Sequence, residues 1–130
     1  MRIEVDPKAP SPPSEQIADQ VRFGIAQGLF AAGDRLPSVR GLAESALVNP
    51  NTVAKAYRDL EREGTVETRP GAGVYVAARA AARCSALRDR KIGERLTRVA
   101  GEALAAGLSA GEIEGIVARV LRREHEEATS

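Results

Sequence analysis

The sequence predicts a mainly α protein with one small β-hairpin, followed by a helical tail. Three observations predict it. Between Glu15 and Arg62, apolar residues recur at helical spacing in three separate stretches, each with its own start or stop signal. On either side of Arg69–Gly73 stand two short β-branched runs, a pattern that suits strands and not helices. Beyond Ala78 the chain becomes Ala- and Arg-rich and returns to helical patterning up to its polar end.

Residues 1–13 start extended, because Pro7, Pro10, Pro12 and Pro13 lack amide hydrogens and disfavour helix in the residues before them. Ser14 offers an N-cap for the first helix. Its apolar stripe is Ile17, Val21, Ile25 and Leu29, and Gly28 and Gly33 end it. Ser38 caps a second, short helix whose apolar face is Val39, Leu42, Ala43 and Ala46. A full capping box would need Glu or Gln at position 41, where Gly41 stands, so this start is weakened. Asn49 followed by Pro50 is a strong helix start: an Asx cap, then Pro at the first helical position. In this third helix, about 50–63, Val53, Tyr57 and Leu60 share one side. At about 100° per residue, Asn51, Lys55, Arg58 and Arg62 share the other, with Thr52 at the edge. Gly64 terminates it.

Thr65–Thr68 and Val74–Val76 then read as strands around the turn Arg69-Pro70-Gly71-Ala72-Gly73. Three helices and a hairpin within about 65 residues is the order of a winged helix-turn-helix, here residues 1–78. In residues 79–130, Leu87, Ile92, Leu96, Val99, Ala103 and Leu104 trace a loose stripe, and Gly107-Leu108 breaks it. Ser109-Ala110-Gly111-Glu112 is a capping box. The last helix carries Ile113, Ile116, Val117, Val120 and Leu121 on one face, and Glu124–Ser130 reads as a polar tail.

Composition excludes several classes. With 3% aromatic residues and no Trp, the core must be built from Leu, Val, Ile and Ala, which suits closely packed helices. No run approaches the roughly 18 apolar residues of a membrane span, and the first residues lack the apolar core of a signal peptide. The single cysteine, Cys84, cannot form an intramolecular disulfide and fits a reducing cytosol, so a cytoplasmic location is expected. Cys84 reads as a packing or surface residue and His125, in a Glu-rich stretch, as a solvated one. No spacing of Ser/His/Asp, His/Glu or Cys/His supports catalysis or metal binding. Catalytic residues, metal and cofactor are therefore all assigned as none. Residues 1–78 hold 9 Lys/Arg against 10 Asp/Glu, a net of −1, and residues 79–130 hold 10 against 8, a net of +2. Binding to nucleic acid must then rest on where the charges sit and not on their sum.

The third helix carries that placement. A helix N-terminus in the major groove offers free amides and a positive dipole end to phosphate. Asn and Thr there are short enough to reach base edges, and Asn pairs bidentately with adenine. Lys55 lies one turn further in, and Arg40 on the preceding helix sits across the turn. Arg58 and Arg62 lie deeper, facing flanking phosphates or acids of the same chain. A basic stripe of this spacing is, taken alone, most often a solvated helix face. The Asn-Pro-Asn-Thr cap, the short helix before it and the hairpin after it shift the balance toward DNA. Pro and Gly in the turn serve geometry, and Arg69 beside two glycines also suits a wing at the minor groove.

Residues 12–77 resemble the N-terminal domain of the GntR family of bacterial transcription regulators, of the YtrA type. The motifs are Gly33-Asp34-Arg35-Leu36-Pro37-Ser38-Val39-Arg40, Val48-Asn49-Pro50-Asn51-Thr52-Val53 and Tyr57-Arg58-Asp59-Leu60-Glu61-Arg62-Glu63-Gly64. The resemblance implies that Arg40, Asn51, Thr52 and Lys55 face DNA, that Ser38 meets phosphate, and that residues 69–73 form the wing. Together with the helix reading, the DNA-facing set is Arg35, Ser38, Arg40, Asn49, Asn51, Thr52, Lys55, Arg58, Arg69, Gly71 and Gly73. The chain departs from the family at Gly41, where an acid is usual, and at Ala46-Leu47-Val48, whose turn lacks its glycine. It departs again at Thr65, a position normally apolar, and at Ala72, where a base is common. The last change is expected to weaken wing contacts.

In this subfamily a short two-helix tail serves dimerisation. That agrees with the two apolar stripes, whose interface residues would be Leu96, Val99, Leu104, Ile113, Ile116, Val117, Val120 and Leu121. A tail of this size cannot hold a core alone. It must be covered by a second copy or fold back on its own domain, and the homodimer is the expected solution. A C2 dimer would present two third helices about one DNA turn apart, which predicts a palindromic duplex operator. The function expected is sequence-specific transcription regulation, by repression. The alternative is a winged-helix protein-interaction module without operator binding. The tail is too short for the larger ligand-binding or aminotransferase-like domains of the family. No polar cluster marks a small-molecule effector, whose identity stays unassigned.

Overall fold

The computed structural model describes residues 2–129. In chain order these form α1 (Pro13–Ala26), α2 (Val39–Ala46), α3 (Pro50–Arg62), β1 (Val66–Arg69), β2 (Gly73–Val76), α4 (Ala80–Ala105) and α5 (Ala110–Thr129). β1 and β2 pair antiparallel in the register Val66↔Val76 to Arg69↔Gly73. A single bridge joins Arg35 to Tyr75, tying the segment before α2 to the outer side of the hairpin. The chain divides into two units, one ending at Arg90 and the other starting at Lys91.

In the first unit, Ile17, Val21 and Ile25 of α1 meet Leu42 and Ala43 of α2, Val53 and Leu60 of α3, and Val66 and Val76 of the hairpin. The composition changes at Ala78, yet the compact unit runs on to Arg90, because Ala80 and Cys84 in the first turns of α4 bury in the same core. Burial also pushes the Cys84 thiol above its ordinary pKa. α1 differs from the sequence expectation at both ends. Pro12, not Ser14, takes the N-cap position, with no side-chain cap and Pro13 as the first helical residue. Proline needs no capped amide there, so the serine is drawn inside the helix. At the other end the helix stops at Ala26, and Leu29 lies outside it, exposed.

The extended N-terminal arm is fixed to α1 by two glutamines one helical turn apart. The Gln20 side chain accepts from the Glu4 amide (3.0 Å) and donates to the Glu4 carbonyl. Gln16 does the same with Asp6, at 2.8 and 2.9 Å. Two residues of strand and four of helix both advance roughly 6 Å, so the two spacings match. Ile3 is carried into the core by this pairing.

One buried polar cluster braces the unit. Arg22 on α1 is buried and forks onto Glu63, the C-cap residue of α3, at 2.5 and 3.2 Å. It also donates to Glu15 (3.0 Å) and Asp19 (2.9 Å). Burial opposes the charge of Arg22, but Glu63 and then Glu15 outweigh it and hold the guanidinium firmly protonated. The Thr65 hydroxyl donates to the same Glu63 carboxylate at 2.8 Å. That bond is why a threonine is tolerated at a fully buried position where an apolar residue is expected.

In the second unit, the capping box at the start of α5 forms as its sequence predicts. Glu112 accepts from the Ser109 amide (3.0 Å) and donates its own amide to the Ser109 hydroxyl (3.1 Å). The Ser109 amide holds the Glu112 carboxyl below its usual range. α5 contains no buried residue. It continues as helix through Glu124–Thr129, where the sequence suggests only a polar tail; Ser130 lies outside the described residues. No described helix is long and apolar enough to cross a membrane.

Candidate nucleic-acid interface

Two side-chain-capped helix N-termini, those of α2 and α3, stand within twelve residues of each other. At α2, the Ser38 hydroxyl accepts from the Gly41 amide at 3.0 Å. A Cβ at position 41 would stand 3.0 Å from that hydroxyl oxygen, so a side chain there would require the capping serine to shift slightly. At α3, the Asn49 side chain accepts from the Asn51 amide at 2.8 Å, with Pro50 as the first helical residue. The Asn49 carboxamide oxygen is therefore committed to the cap, and its amino group is the part left for an outside partner. The Tyr57 hydroxyl donates to the Pro37 carbonyl at 2.7 Å and locks α3 against the start of α2. Burial of this ring raises its phenol pKa.

The outward face of α3 matches its helical-wheel reading. Asn51, Lys55, Arg58 and Arg62 are exposed and Thr52 is half-buried, while Val53, Tyr57 and Leu60 point into the core. Arg35 and Arg40 are exposed nearby. Two of the basic groups share one acid: Lys55 donates to Asp59 at 3.0 Å, and Arg62 stands 3.6 Å from it. The Lys55 hydrogen bond keeps Asp59 below its usual pKa. Any anion approaching Lys55 would have to compete with Asp59 for it.

The hairpin turn organises two further cations. The Arg69 guanidinium lies over the Tyr75 ring, 4.0 Å from its centroid. The Arg35 side chain crosses Gly73 so closely that a Cβ there would stand 2.8 Å from its Nε. Gly73 also has φ +119, so a side chain at position 73 would be strained and would have to displace Arg35. The glycines of this turn thus serve geometry first, and both arginine side chains lie against β2, Arg35 at Gly73 and Arg69 at Tyr75. Among the described residues no His/Cys/Asp/Glu group could hold a metal ion.

Short α2 and longer α3 meeting at a tight turn, with a polar and basic N-terminal face on α3 and a two-stranded hairpin behind it, define a winged helix-turn-helix regulator. A family model for "Bacterial regulatory proteins, gntR family" matches residues 13–76. The chain is 48% identical over 75 residues to the HTH-type transcriptional repressor YtrA of Bacillus subtilis, an alignment spanning 58% of each protein. The chain thus spans little more than half the length of the curated relatives it matches. Among solved structures, a GntR family transcriptional regulator from Listeria monocytogenes superposes with a TM-score of 0.69 at 30% identity, covering 88% of this chain and 98% of that one. YtrA from Sulfolobus acidocaldarius, a GntR-family transcription factor, gives 0.58 at 33%, covering 81% and 99%. The chain belongs to the gntR family of bacterial regulatory proteins, a family of transcription regulators and not of enzymes.

Proposed function

We propose that this chain is a cytoplasmic, sequence-specific repressor that binds a palindromic operator as a homodimer. The N-terminal end of α3 enters the major groove, and the turn at residues 69–73 reaches the minor groove. The observation that carries the reading is the exposed row Asn51, Lys55 and Arg58 running from the capped start of α3, with exposed Arg40 on α2. The homodimer rests on α5, which buries none of its residues, and on the exposed Leu96, Val99 and Leu104 of α4. Covering these faces with a second copy pairs the two operator half-sites with two copies of α3.

Electrophoretic mobility shift on the DNA upstream of the chain's own gene tests the reading. A palindromic fragment should be retarded at low salt, with affinity falling steeply as salt rises. Arg40→Ala or Asn51→Ala should cost roughly 1–3 kcal/mol on the specific site. Arg69→Ala should cost less and weaken all sequences alike. Retention of full site preference by Asn51→Ala, with its loss in Arg69→Ala, would mean that α3 is not the reading element. The net charge of −1 over residues 1–78 keeps protein docking open as a second reading. In that case no fragment is retarded at low salt.

A further inference from the structure

α2 ends on a leucine where the other helices that turn sharply end on glycine. After α1, α3 and α4, a left-handed Gly28, Gly64 or Gly107 lets the next amide reach back five residues. Those bonds are Leu29 to Gly24, Thr65 to Leu60, and Leu108 to Ala103. After α2 the same closure, Val48 to Ala43 at 3.1 Å, is made around Leu47 at φ 58 and ψ 47. Leu47 is the only non-glycine residue with positive φ among the described residues. An L-residue pays for that conformation with steric strain.

The strain brings no packing in return, because Leu47 is 91% exposed. An exposed leucine alone is unremarkable, and so is one left-handed residue. A large apolar side chain held out of the core at a strained backbone position is different, since both features oppose the free fold. Leu47 stands two residues before Asn49, the cap of α3, at the mouth of a hollow of about 420 Å³. Val5, Pro7 and Pro13 line one part of it, and Asn49 and Thr52 line another. The hollow carries no charged side chain and runs into the face that the operator reading assigns to DNA. Apart from Asn49 and Thr52 its lining is apolar, which suits an apolar group of a nucleotide.

Building on that operator reading, we infer that Leu47 is a specificity-determining residue that packs against the 5-methyl group of a thymine in each operator half-site. Apolar side chains read thymine by this contact in the major groove. The readout adds a position to those reached by Asn51 and Thr52 and draws on no charge.

The test uses the full chain and a duplex that it selects from a random-sequence pool, with deoxyuridine replacing each thymine in turn. For the unmodified chain, loss of one methyl in each half-site should weaken binding about three- to fivefold per site, the weight of one buried methyl group. Leu47→Gly should bind the thymine duplex more weakly by a similar factor, be indifferent to deoxyuridine at that position, and melt at the same temperature or higher. Leu47→Ala, which keeps the left-handed backbone without the branched side chain, should show the same binding loss without the thermal gain. Unchanged affinity in Leu47→Gly, or a deoxyuridine penalty that persists in it, overturns the proposal and leaves operator binding standing. Failure of the chain to select any sequence overturns operator binding, and this proposal with it.

Discussion

The unit ending at Arg90 and the unit starting at Lys91 solve the same problem in opposite ways. In the first, apolar residues from α1, α2, α3, the start of α4, the hairpin and the N-terminal arm cover one another, and even Arg22 and Thr65 are drawn in with their partners. In the second, α5 buries nothing, and Leu96, Val99 and Leu121 are 61, 60 and 63% exposed. The helix signals are no weaker there, since the capping box of α5 is complete. What differs is the availability of a third surface. Helical periodicity states that a face must be buried, and the rest of the chain determines whether it can be.

Core substitutions break this comparison most strongly. Leu60→Ala should destabilise the first unit by about 2–5 kcal/mol in denaturant unfolding, since it leaves a cavity at a fully buried site. That loss should not depend on protein concentration. Leu121→Ala, the same change on an exposed face, should shift the unfolding midpoint only in a concentration-dependent way. Equal, concentration-independent losses would erase the distinction between the units.

Val117→Arg places a charge in the centre of the exposed α5 stripe. It should weaken self-association at least a hundredfold, about 2.7 kcal/mol, and move the protein to the monomer position on a sizing column. An unchanged elution volume would show that this face is not the one covered. Arg22→Ala removes the cation that Glu15, Asp19 and Glu63 share, and should cost about 2–4 kcal/mol. Because Glu63 caps α3, operator affinity should fall along with stability. A loss of stability with undiminished affinity would detach the cluster from the reading helix.

The smallest expected effect is at Lys55. Its pair with Asp59 is exposed on the lysine side and should contribute only a few tenths of a kcal/mol. The folded pKa of Asp59 lies below its unfolded value, so the contribution is present above that unfolded pKa and fades as pH falls through the folded one. Lys55→Met should therefore lower stability slightly near neutrality and leave the acid limb nearly unchanged. A larger loss at low pH than at neutral pH would contradict the pairing.

Most of the candidate site was legible because it is made of local signals. Ser38 and Asn49 cap helices through bonds two or three residues long, and the outward set on α3 follows from helical geometry alone. The hairpin was legible for the same reason, its turn residues being set by backbone conformation. The sequence leaves open which base Asp59 engages, because Lys55 and Arg62 both lie about one helical turn from it. Leu47 was visible only as a missing glycine. Its exposure and its place beside the hollow are set by the tertiary fold.

By itself the sequence determined the order of elements, their starts at Ser38, Asn49 and Ser109, and which face of each helix is apolar. These depend on backbone propensity and on residues at most one turn apart. The tertiary structure alone decided that Arg22 belongs inside against Glu63, 41 positions away, and that Cys84 extends the first core into α4. It also decided that the apolar face of α5 finds no cover among the described residues. Burial depends on which distant surfaces meet, and periodicity within one helix carries no information about them.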